Sequence, residues 1–116
     1  MTIKALQGID ALIQLLETDE REQPGLVLVG SRSCPPCIKL HPLIVELAEQ
    51  KPTFAFYDFN VDDYAAPELD QALTALFQRW QLQFLPSQIL LPSSGRPEVI
   101  CSSKLAVIEE KLSKLY

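Results

Sequence analysis

The sequence predicts an α/β protein with a central mixed β-sheet flanked by helices on both faces. Three observations support this: short apolar runs alternate with stretches of helical periodicity, one run is apolar at every position, and the last two runs are joined by a turn-rich hexapeptide. The chain has 116 residues, 47% of them hydrophobic and 22% charged, which suits one domain over 1–116 with a core of its own. No internal repeat or linker divides it.

A weak N-terminal strand opens the order. Ile9, Leu12, Ile13 and Leu16 then fall on one helical face, and the polar segment from Thr18 to Gly25 ends that helix. Leu26-Val27-Leu28-Val29, closed by Gly30, reads as a strand buried on both faces. Past Ser31-Arg32-Ser33-Cys34-Pro35-Pro36-Cys37, a second helical stripe runs through Leu40, Ile44, Leu47 and Ala48, with Pro42 early enough to kink the helix without ending it. Thr53 to Phe59, rich in aromatics, predicts a second central strand. A polar turn with Asp62, Asp63 and Tyr64 leads to Pro67, which suits the first turn of a helix bearing Leu69, Leu73, Leu76, Phe77 and Trp80. Phe77 and Trp80 are expected in the core. Gln88–Leu91 and Glu98–Cys101 read as antiparallel strands joined through Pro92–Pro97, and Leu105, Ile108, Leu112 and Leu115 mark a final helix.

Charge and hydropathy exclude several functions. Ten basic against fifteen acidic residues leave a net charge of −5, so the chain offers no electrostatic footprint for nucleic acid or an anionic membrane. No apolar run approaches the roughly 20 residues that cross a bilayer, and Met1–Leu6 lacks the apolar stretch of a secretory signal. A cytoplasmic protein is expected. Three cysteines are too few for a disulfide scaffold, and the spacing of Cys34 and Cys37 points to redox chemistry or metal binding in a reducing compartment.

The pair lies on a strand-to-helix turn, where backbone amides and the helix dipole favour a thiolate on the first sulfur. Cys34 is therefore the expected nucleophile, and Cys37, one turn inside, the thiol that closes the disulfide. Pro35 and Pro36 suit a first helical turn but donate no N–H, which should leave the Cys34 thiolate less stabilised and the couple more reducing. His41, four residues past Cys37, is either an exposed or hydrogen-bonded side chain beside Pro42 or, with Cys34, Cys37 and Cys101, a soft ligand set. With one Cys-x-x-Cys and no second spaced pair, neither a metal nor a cofactor is expected. Cys101 is expected to be a small buried hydrophobe.

The Cys34-Pro35-Pro36-Cys37 motif after a buried strand, Pro42 five residues beyond it, Asn60-Val61-Asp62 at the end of the next strand and Leu85-Pro86 before another together resemble the thioredoxin family over nearly the whole chain. The resemblance implies a thioredoxin-like fold and a thiol–disulfide oxidoreductase, acting chiefly as a reductant. It also implies a cis bond before Pro86 and backbone pairing of Leu85 with an extended substrate segment, so Pro35, Leu85 and Pro86 are candidate substrate contacts. The expected partners are disulfide-containing protein substrates and an upstream reductase, with the chain working as a monomer. A binding or redox-sensing module without turnover and a metal or iron–sulfur carrier are the alternatives. Glutathione use is a variant of the first reading, and Leu85-Pro86-Ser87 shows no clear pattern for it.

This sequence departs from the family at four places. Ser33 stands where thioredoxins have Trp, and Pro35-Pro36 where they have Gly-Pro. Leu28 takes the position of their buried acid, and Asp58 that of the accompanying lysine. If Asp58 faces inward with Phe54 and Phe56, it can accept the proton of Cys37; otherwise it is a solvated or turn-capping residue at a strand end. The stretch from Asn60 to Pro86 is longer than in ordinary thioredoxins, by roughly two helical turns, and either reshapes the groove beside Pro86 or adds packing.

Overall fold

The computed structural model describes residues 3–64, 66–82 and 84–115; Met1 and Thr2, at the head of the expectation about a leader, lie outside them. In chain order the elements are β1 (Ile3–Ala5), α1 (Ile9–Glu17), β2 (Gly25–Gly30), α2 (Pro35–Gln50), β3 (Ala55–Asn60), a 3₁₀ turn (Val61–Tyr64), α3 (Pro67–Trp80), β4 (Ser87–Leu91), β5 (Glu98–Ile100), α4 (Leu105–Leu112) and a closing 3₁₀ turn (Ser113–Leu115). The sheet runs β1-β3-β2-β4-β5. β1, β3 and β2 are parallel, and β4 and β5 antiparallel to their neighbours. This is the mixed α/β sheet the sequence predicts.

Alternation along β2 builds two cores. Leu26 and Leu28 point to the face covered by α2 and α4, where they meet Leu40, Ile44, Leu47, Phe56, Ile108 and Leu112. Val27 and Val29 point to the other face, against Leu12 and Leu16 of α1 and Leu76 of α3. Every residue of β2 is buried, because both neighbours and both faces are occupied. Each fully buried side chain of this size contributes about 1.5–3 kcal/mol. At Gly25 a Cβ would collide with the Ala55 carbonyl oxygen, so only glycine allows β2 to start that close to β3.

Two boundaries and the burial of one aromatic pair differ from the sequence reading. Thr53 and Phe54 precede β3 in a turn, with the Phe54 amide bonded back to the Lys51 carbonyl (3.0 Å). The last helix tightens into a 3₁₀ turn after Leu112. Phe77 and Trp80 are half-buried against the α1 side of the sheet, and Trp80 also carries the Arg96 guanidinium 5.3 Å from its ring centre. The stretch after Asn60 thus covers the face opposite α2.

Arg21 was not singled out in the sequence, yet it joins distant parts of the chain. Its guanidinium donates to the carbonyls of Leu15 (2.9 Å) and Thr18 at the end of α1, and to Pro92 (2.8 Å) and Gly95 (3.2 Å) in the β4–β5 loop. Burial holds its proton affinity below the usual arginine value, opposed by nearby Asp19.

Candidate active site

Cys34 is the N-cap of α2, with Pro35 and Pro36 in the first turn. Neither proline carries an amide hydrogen, so the first backbone N–H inside the helix belongs to Cys37, and it donates to the Cys34 sulfur at 3.4 Å. From the other side, the Cys34 thiol donates to the Leu85 carbonyl at 3.7 Å. The Leu85–Pro86 peptide bond is cis. Pro86 is buried. The two cysteines and the Leu85-Pro86 loop therefore meet at one end of the sheet. Pro35 is exposed at its rim, and both cysteines are free thiols.

Cys37 is only 6% exposed. Burial, and next the hydrogen bond with Cys34, push its thiol up to about 11. The sulfur borders a cleft of about 360 Å³, lined also by Gly30, Ile38, His41, Asp58 and Asn60. A side chain at Gly30 would reach the floor of this cleft, since a Cβ there stands 3.4 Å from the Cys37 sulfur.

Asp58 lies on β3 directly beside Leu28 of β2 and on the face that buries Phe56, and it lines the cleft with Cys37. Its Oδ2 is 3.5 Å from His41 Nε2. Of the soft ligand set the spacing suggested, His41 thus reaches a carboxylate, while the Cys101 sulfur reaches the Ser87 hydroxyl, one residue past Pro86. Cys101 is exposed, which corrects the expectation of a buried hydrophobe: β5 is a three-residue edge strand ending at Ile100, and the sulfur beyond it is within 3.3 Å of the Ser87 hydroxyl. No group of three or more His, Cys, Asp or Glu side chains converges among the described residues.

Sequence reasoning missed the clamp on the loop before the motif. The Asp62 carboxylate accepts from the Ser31 hydroxyl (2.8 Å) and the Arg32 amide (2.7 Å), and the Asp62 amide donates to Asn60 Oδ1 (2.9 Å). The Ser31 hydroxyl, followed by the Arg32 amide, holds the Asp62 carboxyl below the ordinary carboxylate range. Arg32 in turn pairs with Asp63 at 2.7 Å. The signal in the sequence is the Asn60-Val61-Asp62 segment at the end of β3. With Ser33 where thioredoxins have Trp, hydroxyls and a carboxylate hold this loop.

No family model matches the sequence, and no curated protein matches it by sequence. Solved structures do match. Thioredoxin O1 from Arabidopsis thaliana in the oxidized state superposes with a TM-score of 0.76 at 15% identity, covering 100% of this chain and 99% of that one. The chain has the thioredoxin fold. A poplar thioredoxin h gives 0.75 at 18% identity over 99% and 96% of the two chains. Thioredoxin f from spinach chloroplast gives 0.75 at 14% over 98% and 93%. At such identities the likeness establishes the thioredoxin fold, and the chemistry has to be argued from the site. No helix of the described residues is long and apolar enough to cross a membrane.

Proposed function

We propose that the protein is a thiol–disulfide oxidoreductase that reduces protein disulfides through Cys34 and Cys37. The observation that carries this reading is the seat of the Cys34 sulfur, at the start of α2, between the Cys37 amide and the carbonyl before cis-Pro86. Cys34 attacks a substrate disulfide and forms a mixed disulfide, and Cys37 displaces the reduced substrate. Once Cys34 is a thiolate it no longer donates to Leu85, whose carbonyl is then free to pair with an extended substrate segment. Asp58 supplies a carboxylate on the Cys37 side of the site. In this reading the chain is a cytoplasmic monomer, needs no cofactor and is recharged by an upstream reductase.

The test is reduction of insulin with dithiothreitol as the electron source. The wild type should accelerate it and Cys34→Ser should abolish the acceleration, while Cys37→Ser should accumulate a covalent adduct with the substrate that a thiol releases. Full activity in Cys34→Ser would rule out this mechanism.

A further inference from the structure

Resolution of the mixed disulfide requires Cys37 to lose a proton, and the thiol is poorly placed to do so unaided. It is buried and holds its proton up to about 11. Leu28, where the resembled family carries a buried acid, offers no base. The same cleft is lined by two groups that do. Asp58 is next to Leu28 in the sheet, and His41 is one helical turn past Cys37; their side chains meet at 3.5 Å. Cys37 is buried, whereas the Asp58 and His41 side chains are 26% and 45% exposed, so the pair that shares the cleft with the thiol is open to solvent. A carboxylate alone is a weak acceptor for a thiol proton, whereas an imidazole binds one more strongly by roughly two orders of magnitude or more. A carboxylate beside the ring both orients it and stabilises the imidazolium that forms.

We infer that His41 and Asp58 act as one proton-accepting pair for Cys37, with the proton held on His41 against the Asp58 carboxylate while the sulfur attacks. The inference rests on the exchange reaction proposed above. In the mixed disulfide, Cys37 gives its proton across the cleft to the imidazole, and the resulting thiolate attacks the Cys34 sulfur. The Cys34–Cys37 bond forms as the bond between Cys34 and the substrate sulfur breaks. The leaving sulfur departs with the bonding electron pair and is protonated from the imidazolium or from water. Over the two steps the cysteine pair is oxidised by two electrons and the substrate disulfide is reduced to two thiols, with no further co-reactant. Arg32 is the other charged group lining this cleft, and Asp63 holds its guanidinium at 2.7 Å.

The test follows both chemical steps in one trace. With excess dithiobis-nitrobenzoate, on a Cys101→Ser background that removes the exposed third thiol, attack by reduced Cys34 releases one aromatic thiolate, and resolution by Cys37 releases a second. Wild type, His41→Gln, Asp58→Asn and the double variant are compared from acid to alkaline pH. The first phase should stay within about twofold in all four, while the second should slow about tenfold or more in each single variant. The double variant should be no slower than the slower single one, as for two members of a unit. His41→Gln should also shift the pH dependence of the second phase upward, and added imidazole should restore that phase in His41→Ala. An unchanged second phase in His41→Gln, an unmoved pH profile, or losses that multiply in the double variant would overturn the inference. If the wild type releases no thiolate, the exchange reaction itself fails, and the inference with it. His41 and Asp58 are both partly exposed, so these variants should fold; a thermal melt matching the wild type verifies this.

Discussion

Asp58 and Gln88 stand in one row across the sheet, on either side of Leu28, and they serve opposite ends. Gln88 is fully buried, and both polar atoms of its amide are engaged: Nε2 donates to the Ser102 carbonyl at 2.7 Å, and Oε1 accepts from the Ser102 amide at 3.2 Å. It ties down the chain between β5 and α4 and, being fully buried, lies out of reach of a ligand. Asp58 meets His41 at the edge of an open cleft with a thiol on its far wall. Two polar residues in equivalent strand positions thus differ by what already occupies their hydrogen-bonding capacity. The buried one, bonded to backbone, is structural, and the one open to the cleft is available for chemistry.

That contrast can be broken most visibly on the closed side. Gln88→Ala should cost about 2–4 kcal/mol, because it strands two backbone groups and leaves a void, while both phases of thiolate release stay intact. Asp58→Asn should shift stability by less than about 1 kcal/mol, as expected of a partly exposed pair. Denaturant melts of the two variants measure the difference, and equal losses would erase the distinction.

On the open side, Pro36→Ala sharpens the argument about missing donors. Restoring an N–H in the first turn, aimed at the Cys34 sulfur, adds a hydrogen bond to a charged group worth about 1.5–3 kcal/mol. For a two-electron couple this raises the reduction potential by about 30–60 mV. Equilibration with glutathione buffers reads the shift, and a potential unchanged or lowered would contradict the donor count.

The smallest effect should come from the clamp. The folded-state pKa of Asp62 lies below its ordinary value of 3.8, so its contribution to stability is complete above about pH 4 and is lost as pH falls through the folded value. Asp62→Asn should therefore flatten the acid limb of the stability curve by lowering stability slightly above about pH 4 while leaving it nearly unchanged near pH 2. Urea melts from pH 2 to pH 6 on both proteins measure this.

Much of this architecture was legible because periodicity reports burial. The stripes in α1 and α2 and the unbroken apolar run of β2 fix which residues face the core, and a Cys-x-x-Cys between strand and helix fixes where the sulfurs meet. Contacts between residues distant in sequence were not legible. Nothing in the sequence near Gln88 announces Ser102, and nothing near Arg21 announces the β4–β5 loop, since both bonds go to backbone carbonyls that every residue possesses. Asp58 was half legible: alternation with Phe56 gave its face, but the opening of that face into a cleft beside His41 depends on how α2 lies on the sheet. The expectation for Cys101 failed because residue type predicts burial only when a neighbouring strand is there to cover it, and β5 is an edge.

The grip of Arg21 bears on how the chain matures. Two of its acceptors, at Leu15 and Thr18, lie within a few residues, and the other two lie beyond position 90. A nascent polypeptide that has emerged only as far as α3 can form half of this arrangement, leaving a cation beneath a surface still missing its lid. Docking of the C-terminal hairpin is then the event that secures the N-terminal helix, and we expect amide protons at the end of α1 to become protected from exchange only when residues 92–95 are in place.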